Sequence, residues 1–315
     1  MKKLKIIFAG TADFSAAHLN ILLTSSHDVI AVISQPDCSS GRGQKITFSP
    51  VKRLSINNKI PIFQPTNLHD EIFQNKLLKF NADIMIVVSY GKLIPKKILT
   101  MFPKGCINIH ASLLPRWRGA TPIQSSILNG DKKTGISIIN MDDKIDTGKI
   151  IYSISCDISS QDTTKSLSLK LMKIGMQALL EVLEKITNNT IIEKKQNEKN
   201  AIVSKKIYKK DALLNWNLKA EKLERLIRAF IPWPVCYFLL KNEPIRIWQA
   251  TVIPIIKKTN FSVGEIIVYN NNGIQVNTSY QILNIEKIQF PGKKIIDVKN
   301  IPFSKKKIFQ IGTII

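Results

Sequence analysis

Short apolar runs alternate with amphipathic stretches along the first half of the chain. Near-continuous apolar runs are typical of strands buried on both faces of a mainly parallel sheet. These runs are Lys5–Ala9, Val29–Ser34, Ala82–Ser89, Cys106–His110 and Gly135–Met141. Helical spacing of apolar residues marks Phe14–Leu23, His69–Phe80, Ile123–Leu128 and Thr163–Ile186, the last with Asp162 as its expected N-cap. The pattern predicts a doubly wound, Rossmann-like α/β domain over residues 1–188.

The pattern changes beyond residue 188. A polar, Lys-rich stretch over residues 189–210 predicts a basic linker. Residues 211–315 then carry a helical pattern at Ala220–Ala229 and an Asn271-Asn272-Gly273 turn typical of a β-hairpin. Strand-like runs follow at Val235–Leu240, Ile245–Ile253, Val263–Tyr269, Gly273–Thr278 and Tyr280–Ile288. Short strands in series predict a second, smaller β-barrel domain of OB-like type.

Composition narrows the class of protein. Lys+Arg total 46 against 23 Asp+Glu, so the formal net charge is +23, which would attract polyanions such as RNA. Lys, Ile and Asn are also overused throughout, so part of this charge is compositional. The four cysteines show no CxxC pair, which disfavours disulfides and a metal cluster. No run approaches the ~20 apolar residues of a membrane span, and a cytoplasmic protein is expected.

Candidate chemistry begins in the run Cys106–His110. Strand alternation places Asn108 and His110 on one face, at the carboxyl end where α/β proteins bind ligands. Asp146, in a turn between two predicted strands, could reach the same place. The pair could equally be hydrogen-bonded within the core, and Asp146 could equally cap its own turn. If they converge, they suit acyl transfer without a covalent intermediate, since Asn and His can donate to a developing oxyanion.

Several motifs give the chain a resemblance to the methionyl-tRNA formyltransferase family over essentially its whole length. The motifs are Phe8-Ala9-Gly10-Thr11, Gln35-Pro36-Asp37 with Gly41-Arg42-Gly43, Ser89-Tyr90-Gly91, residues 108–119 (NIHASLLPRWRG), Ile145-Asp146-Thr147-Gly148, and residues 223–230 with Pro232-Trp233-Pro234. The resemblance implies 10-formyltetrahydrofolate as formyl donor and methionyl initiator tRNA as acceptor. It also implies a formyltransferase catalytic domain followed by a tRNA-binding domain, and we expect a monomer.

The resemblance also assigns residues. It implies that Asn108, His110 and Asp146 are catalytic. The residues expected to bind the folate are Ser112, Leu113, Leu114 and Pro115. Arg42 and Lys45, in the long segment from Gln35 to Ser49, are expected to meet the tRNA, since a loop of that length in a compact domain is usually functional.

Two other functions stay open at this stage. An amino-sugar nucleotide formyltransferase would share both the reaction and the two-domain plan, but tRNA would neither bind to it nor compete with its acceptor. A basic RNA-binding protein with a decayed catalytic domain would not need the intact Asn108, His110 and Asp146. The nature of the acceptor separates these alternatives.

Overall fold

The computed structural model describes residues 3–40, 45–254 and 260–315. The chain divides into two compact units, each with its own internal packing. The first unit comprises residues 1–122, 133–157 and 168–205, and the second comprises residues 123–132, 158–167 and 206–315. The sequence predicts one boundary near residue 188, whereas two short segments that precede this position belong to the second unit.

The first unit contains a central sheet with helices. Its strands are β1 (Lys5–Gly10), β2 (Asp28–Ile33), β3 (Cys38–Ser40), β4 (Lys45–Thr47), β5 (Ile62–Phe63), β6 (Ile84–Val88), β7 (Cys106–His110), β8 (Arg116–Gly119), β9 (Lys133–Asn140), β10 (Ile150–Asp157) and β11 (Ile202–Ser204). Its helices are α1 (Asp13–Leu23), α2 (Pro50–Asn57), α3 (Glu71–Leu78) and α4 (Lys96–Leu99). Two helices have residues in both units, α5 (Pro122–Asn129) and α6 (Thr164–Thr187).

Among the described residues, seven strands form the main sheet in the order β10-β9-β7-β6-β1-β2-β5. The strands from β7 to β5 pair in parallel, whereas β9 runs antiparallel to both β7 and β10. The predicted mainly parallel sheet is therefore confirmed. The central strands β1 and β6 are buried almost throughout, which explains why their apolar runs are continuous rather than alternating.

Helix starts show where apolar periodicity is a weak guide. The short helix α2 has no long apolar stripe, but its start carries a Ser-Pro signal: Ser49 Oγ accepts a hydrogen bond of 3.0 Å from Lys52 N, and Pro50 is the first helical residue. At the start of α6 the cap is Thr163 rather than the predicted Asp162. Ser166 N donates to Thr163 Oγ1 at 3.2 Å, whereas Asp162 accepts from Ser159 N and Ser166 Oγ.

The second unit is an antiparallel sheet with short helices. Its elements are α7 (Ala220–Ala229), β12 (Tyr237–Leu240), β13 (Glu243–Ile253), β14 (Ile266–Asn270), β15 (Gly273–Asn277), β16 (Ile282–Gln289), β17 (Ile296–Asp297) and α8 (Phe303–Lys306). The strand order is β12-β13-β16-β15-β14, with β17 on β16. Asn270 pairs with Gly273 across the predicted hairpin turn. The smaller antiparallel β-domain is confirmed, as a half-barrel over the described residues.

The segment predicted as a linker is ordered against the first unit up to Lys205. Ile150 and Lys194 exchange two backbone hydrogen bonds of 2.8 Å, and β11 pairs in parallel with β8. Polar composition predicted a linker because these residues contribute little apolar surface. Backbone pairing orders them instead, and it brings residues 194–204, named here the anchor segment, next to the candidate site described below.

Candidate active site

Asn108 and His110 lie at the carboxyl end of β7. The strand pairs with β6 through Val87 and Asn108, and with β9 through His110 and Ser137. His110 is buried and Asn108 is half-buried. Both side chains therefore stand on one face of a strand fixed on both sides, as the alternation of the sequence predicts.

Asp146 lies in the connection between β9 and β10, residues 141–149, named here the Asp146 turn. Asn108 Nδ2 donates to Asp146 Oδ1 at 3.0 Å, and Gly119 N donates to Oδ2 at 2.8 Å. His110 Nδ1 lies 3.5 Å from Oδ2. The structure thus brings together the three residues that the sequence singled out, and the carboxylate is the group that joins them.

The second nitrogen of His110 is also bonded. Nε2 lies 2.9 Å from the carbonyl oxygen of Trp117, which is an acceptor only, so this nitrogen carries the hydrogen. Trp117 adopts a left-handed backbone conformation with φ of 64°. One ring nitrogen of His110 therefore faces a carbonyl oxygen, and the other faces a carboxylate oxygen.

Residues 111–115 form the loop between β7 and β8, and its hydroxyl group is used internally. Ser112 is fully buried and donates to the carbonyl of Arg116 at 2.6 Å. Ser137 Oγ donates to Ser112 O at 2.8 Å and accepts from Leu114 N at 3.0 Å. Leu114 is buried, whereas Leu113 and Pro115 are half-exposed. Of the four residues expected to bind folate, Leu113 and Pro115 offer apolar surface, while Ser112 shapes the loop.

A glycine in β9 makes room for this loop. A Cβ atom at Gly135 would lie 2.1 Å from the carbonyl oxygen of Ile154 in β10 and 2.6 Å from Leu113 Cδ2. The glycine therefore permits the close approach of the β10 backbone and leaves room for the side chain of Leu113 against the sheet.

Three residues around Asp146 were missed by sequence reasoning. Gln196 Nε2 donates to the carbonyls of Asp146 and Gly148, both at 2.8 Å. Arg118 donates to Gln196 Oε1 at 3.1 and 2.8 Å, and to the two oxygens of Glu198 at 2.9 and 2.7 Å. Arg118 stood within a recognised motif without a role, whereas Gln196 and Glu198 lie in a Lys-rich stretch that carries no local signal.

The charges in this array stabilise one another. Hydrogen bonding from Arg118 to Glu198 is the main cause that raises the pKa of Arg118, and the same interaction is the main cause that lowers the pKa of Glu198. The side chain of Arg118 is 8% exposed and that of Glu198 is 70% exposed. The ion pair therefore reaches from the protein interior to solvent. It contributes little to the free energy of unfolding and acts mainly by fixing the position of the Arg118 side chain.

A second polar cluster lies where the 35–49 loop leaves the sheet. Gln64 Nε2 donates to Gln35 O at 2.7 Å and to Asp37 Oδ1 at 2.9 Å, while Lys52 Nζ donates to Gln64 Oε1 at 2.7 Å and pairs with Asp37. The hydrogen bond from Lys52 is the main cause that lowers the pKa of Asp37. Arg42 and the side chain of Lys45, which the resemblance assigns to tRNA, lie outside the described residues.

The described residues contain neither a cluster of metal-binding side chains nor a helix that could span a membrane. Among these residues, no group of three or more His, Cys, Asp or Glu side chains could hold a metal ion. Within the same part of the chain, no helix is both long and apolar enough to cross a membrane.

Comparison with known proteins places this chain in a family. Residues 2–183 match the formyl transferase family model, and residues 206–305 match the model of the formyl transferase C-terminal domain. Methionyl-tRNA formyltransferase from Buchnera aphidicola subsp. Acyrthosiphon pisum (strain Tuc7) is 76% identical over 315 residues, covering 100% of both chains. The enzyme of that name from Buchnera aphidicola subsp. Schizaphis graminum (strain Sg) is 64% identical over the same length, with 100% of both chains covered.

A solved structure shares the fold at lower identity. The N-formyltransferase from Helicobacter canadensis, in complex with folinic acid and dTDP-3-aminofucose, superposes with a TM-score of 0.67 at 20% identity. The match covers 90% of this chain and 99% of that one. The sequence relatives, matched from end to end, decide the family: the chain belongs to the methionyl-tRNA formyltransferases.

Proposed function

We propose that the protein transfers the formyl group of 10-formyltetrahydrofolate to the α-amino group of methionine esterified to initiator tRNA. The observation that supports the reaction is the convergence of Asn108, His110 and the Gly119 N–H on the Asp146 carboxylate. Full-length identity to methionyl-tRNA formyltransferases supports the acceptor. The products are formylmethionyl-tRNA for translation initiation and tetrahydrofolate.

The balance of the reaction defines what the side chains must do. The amino nitrogen forms a bond to the formyl carbon, and the bond between that carbon and N10 of the folate breaks. The α-ammonium loses two protons in the process, one to solvent and one to N10. The protein must therefore accept a proton, return a proton, and stabilise negative charge on the formyl oxygen.

The residues around Asp146 suit these tasks. Asn108 uses one amide hydrogen on Asp146 and has a second, which can donate to the formyl oxygen as negative charge develops there. Asp146 is the carboxylate that accepts a proton from the amine. His110, held between Asp146 and the Trp117 carbonyl, stabilises the charge that develops as protons move.

The folate supplies the formyl carbon as an electrophile when bound. The loop between β7 and β8 fits such a ligand, because Leu113 and Pro115 present partly exposed apolar groups beside His110. The buried hydrogen bonds of Ser112 and Ser137 fix the conformation of this loop. By this proposal Ser112 and the buried Leu114 shape the folate site, while Leu113 and Pro115 form its apolar wall.

Recognition of tRNA fits the charge of the chain. The net charge of +23 favours a polyanion, and the last segment of the second unit, residues 206–315, begins with an aromatic side chain among lysines. Tyr208 is 50% exposed, and Lys206 and Lys210 lie 5.7 and 5.9 Å from the centre of its ring. Such residues suit contacts with phosphates and ribose. A cytoplasmic monomer is part of the proposal, which light scattering of the purified protein in the presence and absence of tRNA tests.

One transfer assay tests the proposal against its rivals. The protein is incubated with formyl-labelled 10-formyltetrahydrofolate and, in separate reactions, charged initiator tRNA, charged elongator tRNA and an amino-sugar nucleotide. We expect label on the initiator tRNA alone. Label on the sugar nucleotide would make the chain a sugar formyltransferase, and binding of tRNA without any transfer would make it an RNA-binding protein.

A further inference from the structure

We propose that Gln196 and Arg118 are positioning residues, which hold the Asp146 carboxylate in its reactive place. The inference rests on the proposed function, because it deepens the role of the same site. The hydrogen bonds of these two side chains go to groups other than the carboxylate, which acts on Arg118 as a nearby charge. Gln196 bonds to the backbone on which the carboxylate is mounted, and Arg118 fixes the orientation of Gln196.

The Asp146 turn needs such a support. Asp146 adopts a left-handed backbone conformation, with φ of 54°, which is uncommon for a residue with a side chain and costs free energy. Its preceding neighbours are exposed, and Ile145 retains 63% exposure. The hydrogen bonds found within the turn are those that Lys144 N and Thr147 Oγ1 donate to Asp142 Oδ1. These local bonds define its tip but do not reach the backbone of Asp146.

The anchor segment supplies what the turn lacks. Both amide hydrogens of Gln196 are used, one on the carbonyl of Asp146 and one on that of Gly148, at 2.8 Å each. The amide therefore bridges the peptide group that follows Asp146 and the peptide group that follows Gly148. A backbone held at the carbonyl of the catalytic candidate and again two residues later has less freedom to rotate.

Arg118 decides which way the amide of Gln196 faces. Its Nε and Nη2 atoms both donate to Gln196 Oε1, so the oxygen must face the guanidinium and the NH₂ group must face the turn. Glu198 holds the guanidinium in place through two further hydrogen bonds. A guanidinium fork can make these four contacts in one plane, which a lysine ammonium cannot.

Asp146 is held both at its carboxylate and at its backbone. Gly119, next to Arg118 in β8, donates its N–H directly to Asp146 Oδ2. The same strand thus holds the carboxylate through Gly119 and its backbone through Arg118 and Gln196. Since β11 of the anchor segment pairs with β8, the two supports belong to one small sheet. A displacement of the order of 1 Å at such a group costs about 10²-fold in rate.

The test replaces Gln196 by residues of nearly equal size that cannot donate. Gln196→Glu keeps an oxygen for Arg118 but turns an acceptor toward two carbonyls, and Gln196→Met removes both donors without adding charge. The matched control is Asn197→Asp, which adds the same charge at the next residue and retains the oxygen that caps Lys199 N at 3.1 Å. All variants are compared with the full-length wild type below their melting temperatures.

For both Gln196 variants we expect kcat to fall by about 10²-fold, while KM for folate and for tRNA changes by less than about threefold. A merely structural role would change KM and kcat together or lower activity only as the protein unfolds. Arg118→Lys should lower kcat in the same way, and its combination with Gln196→Glu should cost no more than either alone. Asn197→Asp should retain the wild-type kcat.

A second measurement does not depend on activity. Deuterium uptake by a peptide covering residues 142–149 should rise in both Gln196 variants and stay unchanged in Asn197→Asp. Unchanged uptake, or a wild-type kcat in Gln196→Glu, overturns the positioning role. Failure of the wild type itself to transfer formyl groups would instead refute the proposed function, and the exchange experiment would still decide whether Gln196 holds the turn.

Discussion

Two loops of the first unit are held at their bases by the same construction. In each, a glutamine from a distant part of the chain donates both amide hydrogens to the loop, and a cation bonded to a carboxylate fixes the amide oxygen. Gln196 with Arg118 and Glu198 holds the Asp146 turn. Gln64 with Lys52 and Asp37 holds the base of the 35–49 loop.

We call each set of a glutamine, a cation and a carboxylate a clamp. The two clamps differ in how far they lie from the functional side chain of the loop that they hold. Gln196 bonds to the carbonyl of Asp146 itself, so the clamp and the reactive group share one residue. Gln64 bonds to Gln35 and Asp37, several residues before Arg42. A clamp on the residue itself fixes atomic positions, as catalysis requires, whereas a clamp at the base fixes only where a loop leaves the sheet. We therefore expect the first to control rate and the second to control binding of the acceptor.

The largest expected effect removes the group that the first clamp holds. Asp146→Asn and His110→Ala should each lower kcat by roughly 10³-fold or more, and Asn108→Ala by about 10²-fold, because they remove proton transfer or oxyanion stabilisation. Single-turnover formyl transfer measures this loss, and filter binding should give an unchanged affinity for tRNA. The exposed Asp143→Asn, in the same turn, is the matched control. Wild-type turnover in either the Asp146 or the His110 variant would remove that residue from the mechanism.

The next largest effect is expected at Arg42, which belongs to the 35–49 loop whose base the second clamp holds. Arg42→Ala should lower kcat/KM on charged initiator tRNA by about 10²-fold, since a permanently charged side chain with five donors is lost from a loop expected to enter the acceptor stem. The family resemblance implies that the first base pair of initiator tRNA is not Watson–Crick, and unpairing costs least at a mismatch. The preference of the Arg42→Ala variant for initiator tRNA over a tRNA whose first pair has been made complementary should therefore narrow. An unchanged preference ratio would place discrimination elsewhere in the chain.

Replacing the glutamine of each clamp by glutamate tests whether the two clamps act on different steps. Gln64→Glu turns an acceptor toward Gln35 O and Asp37, and we expect KM for tRNA to rise by about 10-fold with kcat little changed. Gln196→Glu should do the reverse. The matched control for the second clamp is Asn67→Asp, which keeps the oxygen that accepts from His69 N at 2.9 Å. Equal changes in kcat for the two glutamine variants would contradict the distinction drawn here.

The smallest effect at neutral pH is expected at His18, a buried side chain outside both clamps. His18 is fully buried, and no described residue is a partner of its Nε2 atom; burial lowers its pKa from 6.5 to about 4. Because the folded state binds the proton less well than the unfolded state, stability is complete above pH 6.5 and is lost as pH falls toward 4. Across that range the loss should approach about 3 kcal/mol.

Urea unfolding at pH 7 and pH 5 measures this effect. Wild type should lose stability between the two values, and His18→Leu should show a smaller loss because the titrating group is gone. Equal losses in both proteins would assign the acid sensitivity to other groups. Unfolding data at the two pH values also show whether a loss of turnover at low pH is caused by unfolding of the protein.

Sequence patterns predicted the elements that are defined by local spacing. The strand Cys106–His110 and the helix Ala220–Ala229 have the predicted bounds, and the hairpin at Asn271–Gly273 lies where the turn residues indicate. Each of these depends on residues close together in the chain, where apolar period and turn chemistry carry the information. The assignment of Asn108 and His110 to one face follows from the same alternation.

What the sequence alone determined is therefore the α/β fold, the smaller antiparallel domain and the candidate residues of the reaction. Only the tertiary structure decided how Asp146 is held. Gln196 lies 50 positions from Asp146 and 78 from Arg118 in the chain, and nothing in its Lys-rich surroundings distinguishes it from a solvated side chain. The same holds for residues 123–132 and 158–167, which belong to the second unit although they precede the boundary predicted near residue 188. Such contacts join groups that are far apart in the chain, and many of them use backbone groups that every residue carries, so local sequence patterns do not reveal them.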